Sequence, residues 1–89
     1  MVEIIKFGAE WCDPCKQQDQ ILDELSTKRD DVNVRDIDVE EPGNTDLKRR
    51  YQIQALPTVV VLDDETPVEQ FNGLVQLDDL ETTIENVES

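Results

Sequence analysis

The chain has two cysteines and no histidine, and the cysteines stand three apart in Cys12-Asp13-Pro14-Cys15. On one face of a helix, residues three apart lie about 5–6 Å from each other, the Cα separation that a disulfide bridges. The chemistry open to such a pair is thiol–disulfide exchange, in which a thiolate attacks a disulfide sulfur and a second thiol completes the cycle. Two other uses compete. A zinc site needs four ligands, and with no His and no third Cys only a second copy or carboxylates would complete one. An inert structural bridge does not suit the reducing interior to which the rest of the chain points. Exchange is the stronger reading.

The surrounding residues say how the pair would be held. Pro14 is tolerated in a first helical turn, and from there Cys15, Ile21, Leu22 and Leu25 fall on one face. A helix is predicted from Pro14 to about Arg29, with Lys28 and Arg29 suiting its negative end. Cys12 then stands at the helix N-terminus, where free N–H groups and the dipole favour its thiolate. Cys15 lies one turn inward on the face of Leu22. The expectation is one exposed nucleophile, Cys12, backed by one buried thiol, Cys15.

The other elements follow from periodicity. Residues 2–7 (VEIIKF) form a short β-branched run with an apolar centre, a strand buried on both faces as in a parallel sheet. Residues 32–39 alternate apolar with polar and read as a second strand. Residues 40–44 form a loop, with Asn44 or Thr45 as N-cap of a short basic helix over 46–51. Residues 58–62 are a strong strand, 63–66 a turn, and 67–71 a strand whose leading Pro67 suits a sheet edge. After Asn72-Gly73, the spacing of Leu77, Leu80, Ile84 and Val87 marks a last amphipathic helix. The order is β-α-β-α-β-β-α. A right-handed crossover makes the first two strands parallel. The predicted class is α/β: one domain over residues 1–89, a four-stranded mixed sheet flanked on both faces by three helices.

Eighty-nine residues with eight basic and 22 acidic side chains carry a net charge of −14. Such a field repels phosphate backbones and anionic lipid, which argues against nucleic-acid and membrane roles. No apolar run approaches the ~20 residues of a bilayer span, and Glu3 and Lys6 interrupt the first apolar stretch, so no signal segment is expected. A soluble, cytoplasmic protein is the expectation. Only 37% of residues are apolar, but they cluster in runs such as Val59-Val60-Val61-Leu62, which supports a thin core over disorder. Acidic residues occur in every segment, beside only four Lys. That even spread reads as adaptation to molar salt, where ions screen a self-repelling surface. A docking face for a basic partner is the rival, and even spread favours salt.

Residues 7–16, Phe-Gly-Ala-Glu-Trp-Cys-Asp-Pro-Cys-Lys, resemble the active-site segment of thioredoxins. Leu56-Pro57-Thr58 is similar to that family's cis-proline motif, and Gly73 to its glycine before the last helix. The resemblance covers nearly the whole chain, in a compact form without the strand and helix that precede this unit in longer members. It implies a thioredoxin-like fold and a protein-disulfide reductase that works through a mixed disulfide, with Cys12 as nucleophile and Cys15 as resolving thiol. It implies a cis Pro57 that brings the Leu56 backbone beside Cys12, and a shallow substrate groove lined by Trp11, Pro14, Gly73 and Leu74. Disulfide-containing proteins would be the substrates and a thioredoxin reductase the electron donor. No cofactor or metal is implied, and a monomer is the default. Glutaredoxins differ: a Tyr within the C-x-x-C, a Val before the cis-proline and a double glycine near the last helix are all missing here. The alternative is a non-catalytic metal-binding or protein-interaction module on the same fold.

Four residues are expected to tune the pair: Lys6, Asp13, Pro14 and Lys16. Where the family usually carries a buried acid, six residues before the first cysteine, this chain has Lys6. A charged ammonium is no base, but it can stabilise a thiolate by Coulomb attraction. Lys6 either snorkels to the sheet edge or turns inward, where it needs an acidic partner, Asp36 or Asp38. Asp13 replaces the usual glycine; its charge opposes a Cys12 thiolate while favouring the first helical turn. Gly8 stands where an aromatic is common and leaves a smaller wall by the site.

Overall fold

The two segments with the densest apolar runs become the two central strands, because a strand with neighbours on both edges and layers on both faces has no polar side. In the computed structural model, which describes residues 1–88, these are β1 (Val2–Gly8) and β3 (Thr58–Asp63). They pair antiparallel, with Lys6 opposite Val59 and Ile4 opposite Val61. β2 (Asn33–Asp38) adds to β1 in parallel, and β4 (Thr66–Asn72) adds to β3 antiparallel. The sheet order is β2-β1-β3-β4, a mixed four-stranded sheet as predicted.

Side chains alternate across a strand, and the alternation sorts the core into two layers. Val2, Ile4, Val59 and Val61 pack with Leu22 and Leu25 of helix α1 (Asp13–Lys28) and with Leu80 and Ile84 of helix α3 (Leu77–Glu88). Ile5, Phe7, Val60 and Leu62 face the other way, against Leu47 of the short helix α2 (Thr45–Arg50) and against Tyr51, whose ring lies 5.5 Å from that of Phe7. Each fully buried aliphatic side chain contributes about 1.5–3 kcal/mol relative to exposure. The same alternation puts Lys6 and Gly8 on the α1 face, in line with Val2 and Ile4.

Between β2 and α2 the chain departs from the predicted plain loop. Pro42–Asn44 forms one turn of 3-10 helix, and neither Asn44 nor Thr45 caps α2 with its side chain. The Thr45 hydroxyl donates instead to Pro42 O, and the Asn44 amide to Asp38 O. The tighter turn already satisfies backbone groups at the helix start, so the cap is not needed. The β3–β4 hairpin closes through Asp64 and Glu65, both at positive φ (49° and 71°). That pair of left-handed residues matches the twist of the strands. Pro67 falls near the start of the edge strand β4, where its missing N–H leaves no central ladder broken.

Candidate active site

The turn from β1 to α1 sets the reactive pair. The Cys12 N–H donates to Ala9 O at 3.2 Å, closing a tight turn after Gly8. Cys12 is the N-cap of α1 in extended conformation (φ −94°, ψ 105°), and its sulfur accepts the Cys15 N–H at 3.2 Å. The thiol thus takes the place an N-cap oxygen usually fills. When the pair is reduced, that same N–H and the helix dipole favour a thiolate at Cys12. Here the two cysteines are bridged, with Cα atoms 5.3 Å apart.

The bridge is more enclosed than the sequence suggested. Cys15 is 2% exposed as expected, but Cys12 is only 5% exposed rather than open to solvent. The reason is tertiary: Trp11, Pro14 and Leu56 wall the groove into which Cys12 opens, with Val39 and Ile53 farther along it. Trp11 is 68% exposed, and its indole N–H donates to the Glu40 carboxylate. The groove therefore has an apolar wall standing free at its mouth.

The Leu56–Pro57 bond is cis. Leu56 lines the Cys12 groove, while Pro57 is fully buried and its carbonyl accepts the Gly73 N–H at 2.8 Å. Gly73 and Leu74 are not among the residues that line the groove at Cys12. Gly73 has φ +113°, a conformation that L side chains rarely adopt. Its place is to turn the chain out of β4 and tie it to Pro57; Leu74 follows it, 39% exposed.

On the other side of the bridge, Cys15 borders a second pocket with Lys6, Gly8, Asp19 and Asp36. Lys6 turns inward and does not snorkel. Its Nζ meets Asp36 Oδ1 at 3.1 Å, one of the two expected partners, and Asp19 Oδ1 at 2.5 Å, a partner the sequence reading did not name. Asp38 is not a partner; its carboxylate accepts the Glu40 N–H at 2.9 Å. Lys16 and Asp13 pair with each other at 3.7 Å on the surface, both well exposed. A pair so open to water is worth little.

Two residues escaped the sequence reading. Asp19 stands four after Cys15, on the same side of α1. Gln18 stands three after it, fully buried, and exchanges two hydrogen bonds with the Val75 backbone. Helical spacing from Cys15 through Gln18 to Leu22 was the available signal for Gln18.

A family model described as Thioredoxin matches residues 2–86. The chloroplastic thioredoxin Y of Oryza sativa subsp. japonica is 37% identical over 84 residues, covering 93% of this chain and 49% of that protein. The thioredoxin of Staphylococcus saprophyticus is 33% identical over 85 residues, 94% of this chain and 80% of its own length. The chain thus spans about half the length of the rice relative. Among solved structures, a mutant thioredoxin from Halobacterium salinarum NRC-1 superposes with a TM-score of 0.85 at 34% identity, covering 96% of this chain and 73% of that one. The malaria parasite thioredoxin-2 gives a TM-score of 0.88 at 25% identity, over 97% and 82%. Since the likeness takes in every strand, the helix that carries Cys12 and Cys15 and the last helix, the chain belongs to the thioredoxin family.

Proposed function

We propose that the chain is a protein-disulfide reductase, with Cys12 as nucleophile and Cys15 as resolving thiol. The observation that carries this reading is the place of Cys12 as N-cap of α1, its sulfur accepting the Cys15 N–H and opening on an apolar groove. The Cys12 thiolate attacks a substrate disulfide, bonding to one sulfur and expelling the other as a thiolate. Cys15 then attacks the Cys12 sulfur, the bond from Cys12 to the substrate breaks, and the second substrate sulfur leaves. Two electrons pass to the substrate, whose two sulfurs take up the protons the cysteines gave. Trp11, Pro14 and Leu56 form the walls against which an extended substrate segment lies, and the Leu56 backbone is the edge with which it pairs. The sulfur pair itself carries the electrons, so the reaction needs no cofactor or metal.

In this reading the chain acts as a monomer on disulfide-containing proteins of the cytoplasm and is recharged by a thioredoxin reductase. No helix among the described residues is long and apolar enough to cross a membrane. Turnover of a protein disulfide with dithiothreitol as donor tests the assignment. Cys12→Ser is expected to abolish catalysis, and Cys15→Ser to accumulate a mixed disulfide through Cys12. Full activity in either variant would contradict the assignment, and reduced protein that binds zinc without turnover would make it a binding module.

A further inference from the structure

An ammonium is one of the least favourable groups to remove from water, yet Lys6 is 4% exposed in the middle of β1. It is the only buried cation among the described residues. Strand alternation aims it at α1, where its Nζ is held between Asp19 of α1 and Asp36, its register partner on β2. A lysine that needed only an ion pair could meet these carboxylates from the surface, since Asp36 is 66% and Asp19 47% exposed. Instead it folds under the disulfide. Lys6 Nζ and Cys15 Sγ each lie 3.2 Å from the point a Cβ on Gly8 would occupy, so at most twice that distance separates them. Only the missing side chain of Gly8 lets both groups share this space.

We propose that Lys6 is a positioning residue for the resolving step: its ammonium, clamped by Asp19 and Asp36, holds reduced Cys15 as the thiolate that attacks the mixed disulfide. The inference rests on the exchange reading above. In that step a bond forms between the Cys15 and Cys12 sulfurs, the bond from Cys12 to the substrate breaks, and the substrate leaves as a thiolate. The proton that Cys15 sheds passes to solvent through the pocket and is replaced on the departing sulfur from solvent. A cation beside the sulfur favours its ionised form, so no buried base has to receive that proton. Other charges face the pocket: Glu10, Asp38 and the two clamping carboxylates oppose the thiolate, with Asp23 alongside, and Lys16 supports it. Charges open to water are screened far more than one enclosed with the sulfur, so Lys6 decides the sign.

Reduced protein mixed with excess 5,5′-dithiobis(2-nitrobenzoate) in stopped flow separates the steps. The first thionitrobenzoate release reports Cys12, and the second reports Cys15 resolving the mixed disulfide. In Lys6→Met the second release is expected to slow about tenfold at neutral pH, equivalent to moving the ionisation of Cys15 up by about one pH unit. Its pH profile should shift upward while the first release stays unchanged, and Lys6→Arg should restore most of the rate. Lys6→Gln serves as the neutral variant if Lys6→Met does not fold. An unchanged second release, an equal slowing of both releases, or no rescue by Lys6→Arg would overturn the assignment. A wild-type protein with no second release would instead overturn the exchange reading itself, and this assignment with it.

Discussion

Gln18 and Val75 hold each other by both ends: the Gln18 side-chain amide donates to Val75 O at 3.1 Å, and its oxygen accepts the Val75 N–H at 2.9 Å. The pair is buried and joins α1, one turn after Cys15, to the segment that follows Gly73. A backbone N–H and C=O with no strand beside them are thereby satisfied by one side chain.

Gln18→Leu fits the volume but leaves both Val75 groups without partners. An unsatisfied buried polar group costs about 1–3 kcal/mol, so with two such groups the variant is expected to lose about 2–6 kcal/mol. Urea unfolding of the oxidised protein measures it. A change below about 0.5 kcal/mol, the ordinary range of surface substitutions, would show that water replaces the pair without loss.

Gly8 makes a second prediction. A Cβ there would lie 3.0 Å from Lys6 Cε and 3.2 Å from Cys15 Sγ. Gly8→Ala should therefore destabilise the oxidised protein by about 1–3 kcal/mol, as overpacking against closely placed side chains does. Lys6→Ala empties the same space. Combined, the two substitutions should cost less than the sum of their separate effects, with a coupling of about 0.5 kcal/mol or more. Additive losses in a double-mutant cycle would mean that Gly8 does not make room for Lys6.

The strands, the α1 and α3 helices and the place of Cys12 at a helix start were legible in the sequence, because each rests on local spacing. VEIIKF carries its own two-sided burial, and Pro14 marks the first turn that leaves Cys12 as cap. What was not legible depends on residues distant in the chain. Cys12 and Leu56 line one groove, a placement that the Leu56-Pro57-Thr58 motif implied and that no pattern around Cys12 contains. An inward Lys6 with Asp36 as partner was one of two readings the sequence left open; its second partner, Asp19, was not legible, because it sits among polar neighbours that look like an ordinary solvated face. Gly73 showed as a glycine needed before the last helix, but its hydrogen bond to Pro57 O joins residues that no local pattern links. Asn44 and Thr45 have the right chemistry for a cap, but the turn of Pro42–Asn44 supplied those backbone groups first.

The charge of −14 sets a prediction about salt. The Debye length falls from about 10 Å at 0.1 M to about 3 Å at 1 M salt, which removes most repulsion between exposed carboxylates. The melting temperature of the oxidised protein is expected to rise between dilute buffer and molar KCl. An unchanged value would count against salt adaptation and turn attention to a basic docking partner.

For the proposed exchange, Cys12 and Cys15 must form a reversible two-electron couple, which a redox titration measures. The protein is equilibrated in defined thiol–disulfide buffers with molar KCl, its free thiols are alkylated, and the products are weighed. One transition between dithiol and bridged protein is expected, with no stable singly alkylated species, at a potential below roughly −230 mV, on the reducing side of the glutaredoxins. A pair that remains bridged or remains open in every buffer would contradict it.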